Sequence, residues 1–131
     1  YAMALRSGVG ALRDLDTARA LFREAAGAGD GAAMVELAAL GDAEEARRWL
    51  SRASELGHVP AMSQYADLIM PTDPIEALAW LYAAAALSAD DASRKRAAAL
   101  AREMRADEID QAQKRGREYA KRVRDKGREQ R

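Results

Sequence analysis

Cysteine is absent from this chain, histidine occurs once and proline three times. Without cysteine there is no disulfide framework, no thiol nucleophile and no cysteine-ligated zinc site. A histidine metal site or a histidine general base needs companions, and His58 has no second histidine or cysteine to join it. Aromatic residues make up only 5% of the sequence. No apolar run approaches the roughly 18–20 residues that span a bilayer. No signal-peptide pattern is present either. The chain opens at Tyr1 inside a helical pattern, so it reads as a piece of a longer protein with any export signal upstream.

Alanine is abundant, with 32 occurrences among 131 residues. It is the strongest helix former, and β-branched residues are scarce, so the expected class is all-α with closely packed helices. The net charge is zero but unevenly spread. Residues 1–112 carry 12 Lys+Arg against 18 Asp+Glu, and residues 113–131 carry 9 against 3. The body is acidic and the tail basic.

Three stretches echo one another: "ARALFREAAGAGDGAAMVELA" at 18–38, "ARRWLSRASELGHVPAMSQYA" at 46–66 and "ALAWLYAAAALSADDASRKRA" at 77–97. Without gaps they align Ala18/Ala46/Ala77, Leu21/Trp49/Trp80, Phe22/Leu50/Leu81 and Ala25/Ala53/Ala84. Gly29 meets Gly57, with Ser88 in the third copy; Ala33/Ala61/Ala92 and Ala38/Ala66/Ala97 follow. Self-similarity at about 30 residues signals a solenoid of helix pairs. Asp42 with Glu45 and Asp73 with Glu76 supply an aspartate N-cap and a glutamate three residues on. Asp14-Leu15-Asp16-Thr17 is a looser version of the same start. Pro74 suits the first helical position, where a missing N–H costs nothing. Ala46, Trp49, Leu50 and Ala53 share one helix face, and Gly29 or Gly57 would end each first helix in a left-handed conformation. Ala61, Met62 and Tyr65 then turn a second helix back onto the first.

The pattern A-x-x-W-[LF]-x-x-A-x-x-x-G-[HD]-x-x-A-[MQ]-x-x-[LY]-A resembles the Sel1-like repeat, a relative of the tetratricopeptide repeat. "YAMALRSGVGALRDLDTAR" looks like the end of a preceding repeat, a loop at Gly8-Val9-Gly10 and the entry to the next. "DEIDQAQKRGREYA" resembles the helix that often closes such arrays. The third copy departs from the pattern, having lost its glycine and its Ala-Met. The resemblance implies a right-handed α–α superhelix that serves as a non-catalytic protein-interaction scaffold. It also favours a periplasmic or secreted setting, since bacterial relatives often occur there; eukaryotic relatives include an adaptor of protein degradation at the endoplasmic reticulum. The expected organisation is an array over 1–106, with repeats at 14–41, 42–72 and 73–106. Residues 1–13 would end a preceding repeat, and 107–131 would form a capping helix and basic tail.

Helix 74–87, "EALAWLYAAAAL" at its centre, has no polar face and must be covered on several sides. Helices 90–105 and 107–127 are the expected covers, because a terminal repeat cannot bury its own outer face. The apolar stripe loses phase between Met104 and Ile109, so either a turn falls near 105–107 or one helix switches surfaces. From there Ile109, Ala112, Gly116, Tyr119, Ala120 and Val123 follow a 3-4 spacing. That spacing fits docking on the array, and equally a short dimerising coiled-coil seam.

No enzyme signature emerges, and no cofactor is expected. Most carboxylates sit at helix starts or near arginines, as Glu44 near Arg48. His58 falls where Asp30 does, as a polar residue opening a second helix. The helix phase of Trp49 and Trp80 is the core phase, which favours packing over ligand stacking. The basic stretch 114–131 reads as a solvated face, with weak binding to nucleic acid or an anionic membrane as the alternative. The candidate partner site lies one residue past the core positions of each first helix. There Arg19 and Arg23, Arg47 and Ser51, then Leu78 and Tyr82 would form a ladder. Its arginines suit an acidic protein segment, with a merely solubilising surface as the alternative.

Overall fold

Seven helices make up the computed structural model, which describes residues 8–88 and 91–129, with the backbone alone at 8–14 and 129. They are α1 (Gly8–Gly27), α2 (Gly31–Leu40), α3 (Ala43–Glu55), α4 (Val59–Ile69), α5 (Pro74–Leu87), α6 (Ala92–Ala101) and α7 (Ala106–Glu129). Each of the first five packs on the next in chain order, and α7 returns to α5. Packing between sequence neighbours is what a solenoid of helix pairs requires. No strand occurs among the described residues.

The helix starts follow from their aspartates. Asp42 accepts from Glu45 N at 2.9 Å, and Asp73 accepts from Glu76 N at 3.2 Å. Asp30 caps α2, accepting from Ala32 N and Ala33 N. Each bond satisfies an amide that the first helical turn leaves without a partner. Gly29 and Gly57 stand at φ 96° and 94°, and both follow the same closing pattern. Asp30 N donates to Ala25 O and Gly29 N to Ala26 O; His58 N donates to Ala53 O and Gly57 N to Ser54 O. These paired bonds over a left-handed residue form the Schellman end. At the third position Ser88 is extended, not left-handed.

Two expectations about chain organisation are corrected at the amino end. Gly8-Val9-Gly10 is the first turn of α1 and not a loop. Asp14 and Asp16 lie inside that helix and do not cap it. Ala11, Leu12 and Arg13 are strong helix formers, and they carry the ladder through the weaker aspartate positions. The expected end of a preceding repeat at 1–13 falls partly outside the described residues.

The core falls into two clusters of small and large residues, one around α4, α5, α6 and α7 and a second around α1, α2 and α3 with Ala61 of α4. Ala53, Ala61, Met62, Ala66, Ala77, Leu78, Leu81, Ala83 and Ala84 have no exposed surface. A leucine or methionine so enclosed contributes about 1.5–3 kcal/mol through burial. Ser54 is buried too, its hydroxyl donating to Leu50 O at 2.7 Å. Two aligned positions do not turn inward. Leu21 is 51% exposed, because α1 packs chiefly on α2 and has no helix before it among the described residues. Ala92 is exposed and Ser93 buried instead, a one-residue slip in the copy that lacks the glycine turn.

Helix α5 is enclosed as its composition demands, by α4, α6 and α7. A turn at 102–105 separates α6 from α7, slightly earlier than the phase break suggests. There Arg105 N donates to Glu108 Oε1 at 3.0 Å, so the glutamate supplies the cap without an N-cap aspartate. The stripe of α7 lies on α5: Ala112, Gly116 and Ala120 are buried, and Ile109, Tyr119 and Val123 pack beside the core. A Cβ on Gly116 would stand 2.8 Å from Ala79 O and 2.8 Å from Tyr82 Cβ, so glycine is needed for this approach. The stripe that a dimer seam would require is therefore occupied within the chain.

Candidate functional site

Arg19 and Arg23 of α1, Leu37 of α2, and Glu45, Arg48, Trp49 and Arg52 of α3 line a cavity of about 480 Å³. α1 and α3 both pack on α2, which contributes the buried Leu37 to the cavity lining. Four guanidinium groups and one carboxylate surround an indole. Arg19 donates to Leu40 O at 3.2 Å, which satisfies a carbonyl at the end of α2 and fixes that arginine's position. The guanidinium of Arg52 stands 5.9 Å from the centre of the Trp49 ring, within cation–π reach. Among the described residues, Arg23, Arg48 and Arg52 have no carboxylate within 4 Å. The expected pairing of Glu44 with Arg48 is not formed, and Arg48 lines the cavity instead. Such a concentration of unpaired cations beside a half-buried aromatic suits carboxylates with an apolar companion.

The candidate ladder is only partly brought together here. Arg19 and Arg23 line the cleft, but Arg47 is exposed outside it and Ser51 is half-buried beside it. The reason is geometric. A ladder repeats the same flank on every helix, whereas a cleft between α1 and α3 is walled by facing flanks. On α3 these are Glu45, Arg48 and Arg52, one residue before the core positions. Leu78 is fully buried, because α5 is covered on both flanks, and it offers nothing to a partner. Tyr82 is half-buried against α7, bordering a crevice of about 250 Å³ with Gly116 and Arg117.

The two tryptophans have separated fates. Trp80 is 2% exposed, stacked on Tyr119 at 4.3 Å and met edge-on by Tyr65 at 6.3 Å. Trp49 packs on the second core cluster while its outer part borders the cleft. The Tyr119 hydroxyl donates to Glu76, 2.7 and 2.8 Å from its two oxygens, and Arg115 pairs with the same carboxylate at 3.1 Å. Burial pushes the Tyr119 phenol well above its usual range; the hydrogen bond to Glu76 and that residue's charge add to the rise, and Arg115 and Arg122 oppose it.

His58 opens α4 without making a side-chain capping bond. Its ring lies against Gly31, where a Cβ would stand 2.7 Å from His58 Cβ. The histidine thus fills the contact between the starts of α2 and α4. Among the described residues, no group of three or more His, Asp or Glu side chains could hold a metal ion. No helix there is long and apolar enough to cross a membrane.

Some of the basic residues of 114–131 are engaged along α7. Lys114 pairs with Asp110, Arg122 with Glu118 and Glu55, and Arg124 donates to Ala86 O. Arg115 and, farther along α7, Arg124 reach the first and last turns of α5 respectively, so the two helices run in the same direction.

The comparison with protein families gives a match to the Sel1 repeat over residues 1–30, 33–58 and 61–88. The second and third spans each take the second helix of one pair with the first helix of the next. No curated protein matches the chain.

Proposed function

This chain belongs to the Sel1 repeat family, and from that premise we infer that it is a scaffold holding a partner's acidic segment in the cleft between α1 and α3. Sel1 repeats generally mediate protein–protein interaction and are typically non-catalytic. The observation that carries the specific reading is the set of Arg23, Arg48 and Arg52 around Trp49, with no carboxylate within 4 Å of them among the described residues. Arginine forks hold carboxylates in bidentate geometry, and an indole beside them offers apolar area at small entropic cost. The body of the molecule is otherwise acidic, so this cationic cleft stands out electrostatically from its surroundings.

The test is a titration of the full chain with a fluorescein-labelled peptide rich in glutamate, at low and moderate salt. Arg23→Glu with Arg48→Glu should weaken binding at least tenfold, since each replacement removes an attraction and adds a repulsion. Arg47→Glu with Arg102→Glu, both exposed outside the cleft, serves as the matched charge control and should have a small effect. Equal effects of the two changes would remove the cleft as the binding surface.

A further inference from the structure

Helix α7 shows what kind of side chain the tryptophan position of this array accepts. The second and third repeats are offset by 31 residues, which superimposes Asp42, Glu45 and Trp49 on Asp73, Glu76 and Trp80. In the third repeat this constellation is filled: Tyr119 stacks on Trp80 and donates its hydroxyl to Glu76. The same offset carries Arg48 and Arg52 onto Ala79 and Ala83. Those are the positions against which Gly116 of α7 lies. The surface of α5 that α7 covers is thus the repeat equivalent of the α3 surface that borders the open cleft. In that cleft Glu45 and Trp49 stand together, four residues apart like Glu76 and Trp80, with a cavity in place of the tyrosine.

Resting on the scaffold reading above, we propose that the cleft seats a tyrosine of the bound acidic segment, stacked on Trp49 with its hydroxyl donated to Glu45. The two seats differ in a way that sets the partner's charge. Ala79 and Ala83 are small, so α7 approaches until its backbone touches α5, and its own arginines pair with Glu76 and Glu55. Arg48 and Arg52 are long and cationic. They hold an incoming backbone farther out and direct carboxylates, not arginines, to either side of the aromatic anchor. A second copy's α7 is a poor occupant, because its Tyr119 is flanked by Arg115 and Arg122 and is already seated on its own α5. The partner is therefore another protein, recognised through a tyrosine set among aspartates or glutamates.

Three labelled peptides, alike in their glutamates but with tyrosine, phenylalanine or alanine at the centre, test this on the full chain. The tyrosine probe should bind about tenfold tighter than the phenylalanine probe, the size of one hydrogen bond to a charged group. The alanine probe should be about tenfold weaker again, having lost the ring stack. Glu45→Gln keeps a residue able to close the capping box; its amide oxygen still accepts but carries no charge, so the tyrosine-to-phenylalanine ratio should fall to about threefold. Glu44→Gln, on the exposed neighbour, should leave the ratio unchanged. Comparing ratios removes the general gain that any acidic probe makes when a carboxylate is neutralised. If the three probes bind alike and Arg23→Glu with Arg48→Glu still weakens them, the tyrosine anchor is wrong while the cationic cleft stands. If no probe binds, or binding ignores the arginines, both readings fall.

Discussion

Single residues decide how closely this array can pack. Gly29 and Gly57 share a φ near 95°, so alanine at either carries the same left-handed cost of about 1 kcal/mol. Their surroundings differ. A Cβ at Gly29 meets nothing within 4 Å, whereas one at Gly57 would stand 2.7 Å from Val123 of α7. Gly57→Ala should therefore destabilise the chain by more than Gly29→Ala, the excess being on the order of 1 kcal/mol for overpacking. Urea denaturation of the two variants measures it, and equal losses would mean that α7 does not reach the α3–α4 turn. The aspartate caps and the two glycine ends were legible in the sequence because they depend on local backbone chemistry alone. The exposure of Leu21 was not, since it depends on what lies beside α1 and not on the residue's place in the repeat.

At the scale of elements, α7 is latched to α5 through Tyr119. The partly buried phenol holds its proton beyond the usual value of about 10, while in the unfolded chain it ionises near that value. Above that pH the unfolded state binds fewer protons than the folded one, so stability falls as pH rises. The contribution is fully present below about pH 10 and is lost progressively above it. Thermal unfolding from pH 8 to 11 should show a steeper decline for the native chain than for Tyr119→Phe, which cannot ionise there. Parallel declines would place Tyr119 in water and undo the latch. This helix was legible in its 3-4 stripe and in Gly116 within it. It left docking and dimerisation open because one stripe serves either purpose; the backbone of α5 beside Gly116 is what resolves the choice.

For the whole molecule, three tandem motifs indicated the stacked-pair architecture because each pair repeats the same small-residue face and the same helix starts. The cleft was harder to find. Arg19 and Arg23 could be named from their flank, but Arg48, Arg52 and Glu45 lie on the opposite flank of the neighbouring helix. No periodicity within one helix reveals which flanks of two helices face each other. The signal that could have found them is the replacement of Ala79 and Ala83 by Arg48 and Arg52 at equivalent repeat positions. A surface that is small and covered in one repeat is long and cationic in the other, which marks a place where the array has stopped packing on itself.

The most direct test of the cleft as a binding surface is a nuclear magnetic resonance titration of the full chain with the tyrosine-bearing acidic peptide. The two tryptophans supply two indole N–H reporters, one beside the cleft and one sealed under α7. The account predicts that the Trp49 signal and the amides of α1 and α3 shift with peptide, while the Trp80 signal stays in place. Shifts confined to the basic α7, or a moving Trp80 with a fixed Trp49, would contradict it.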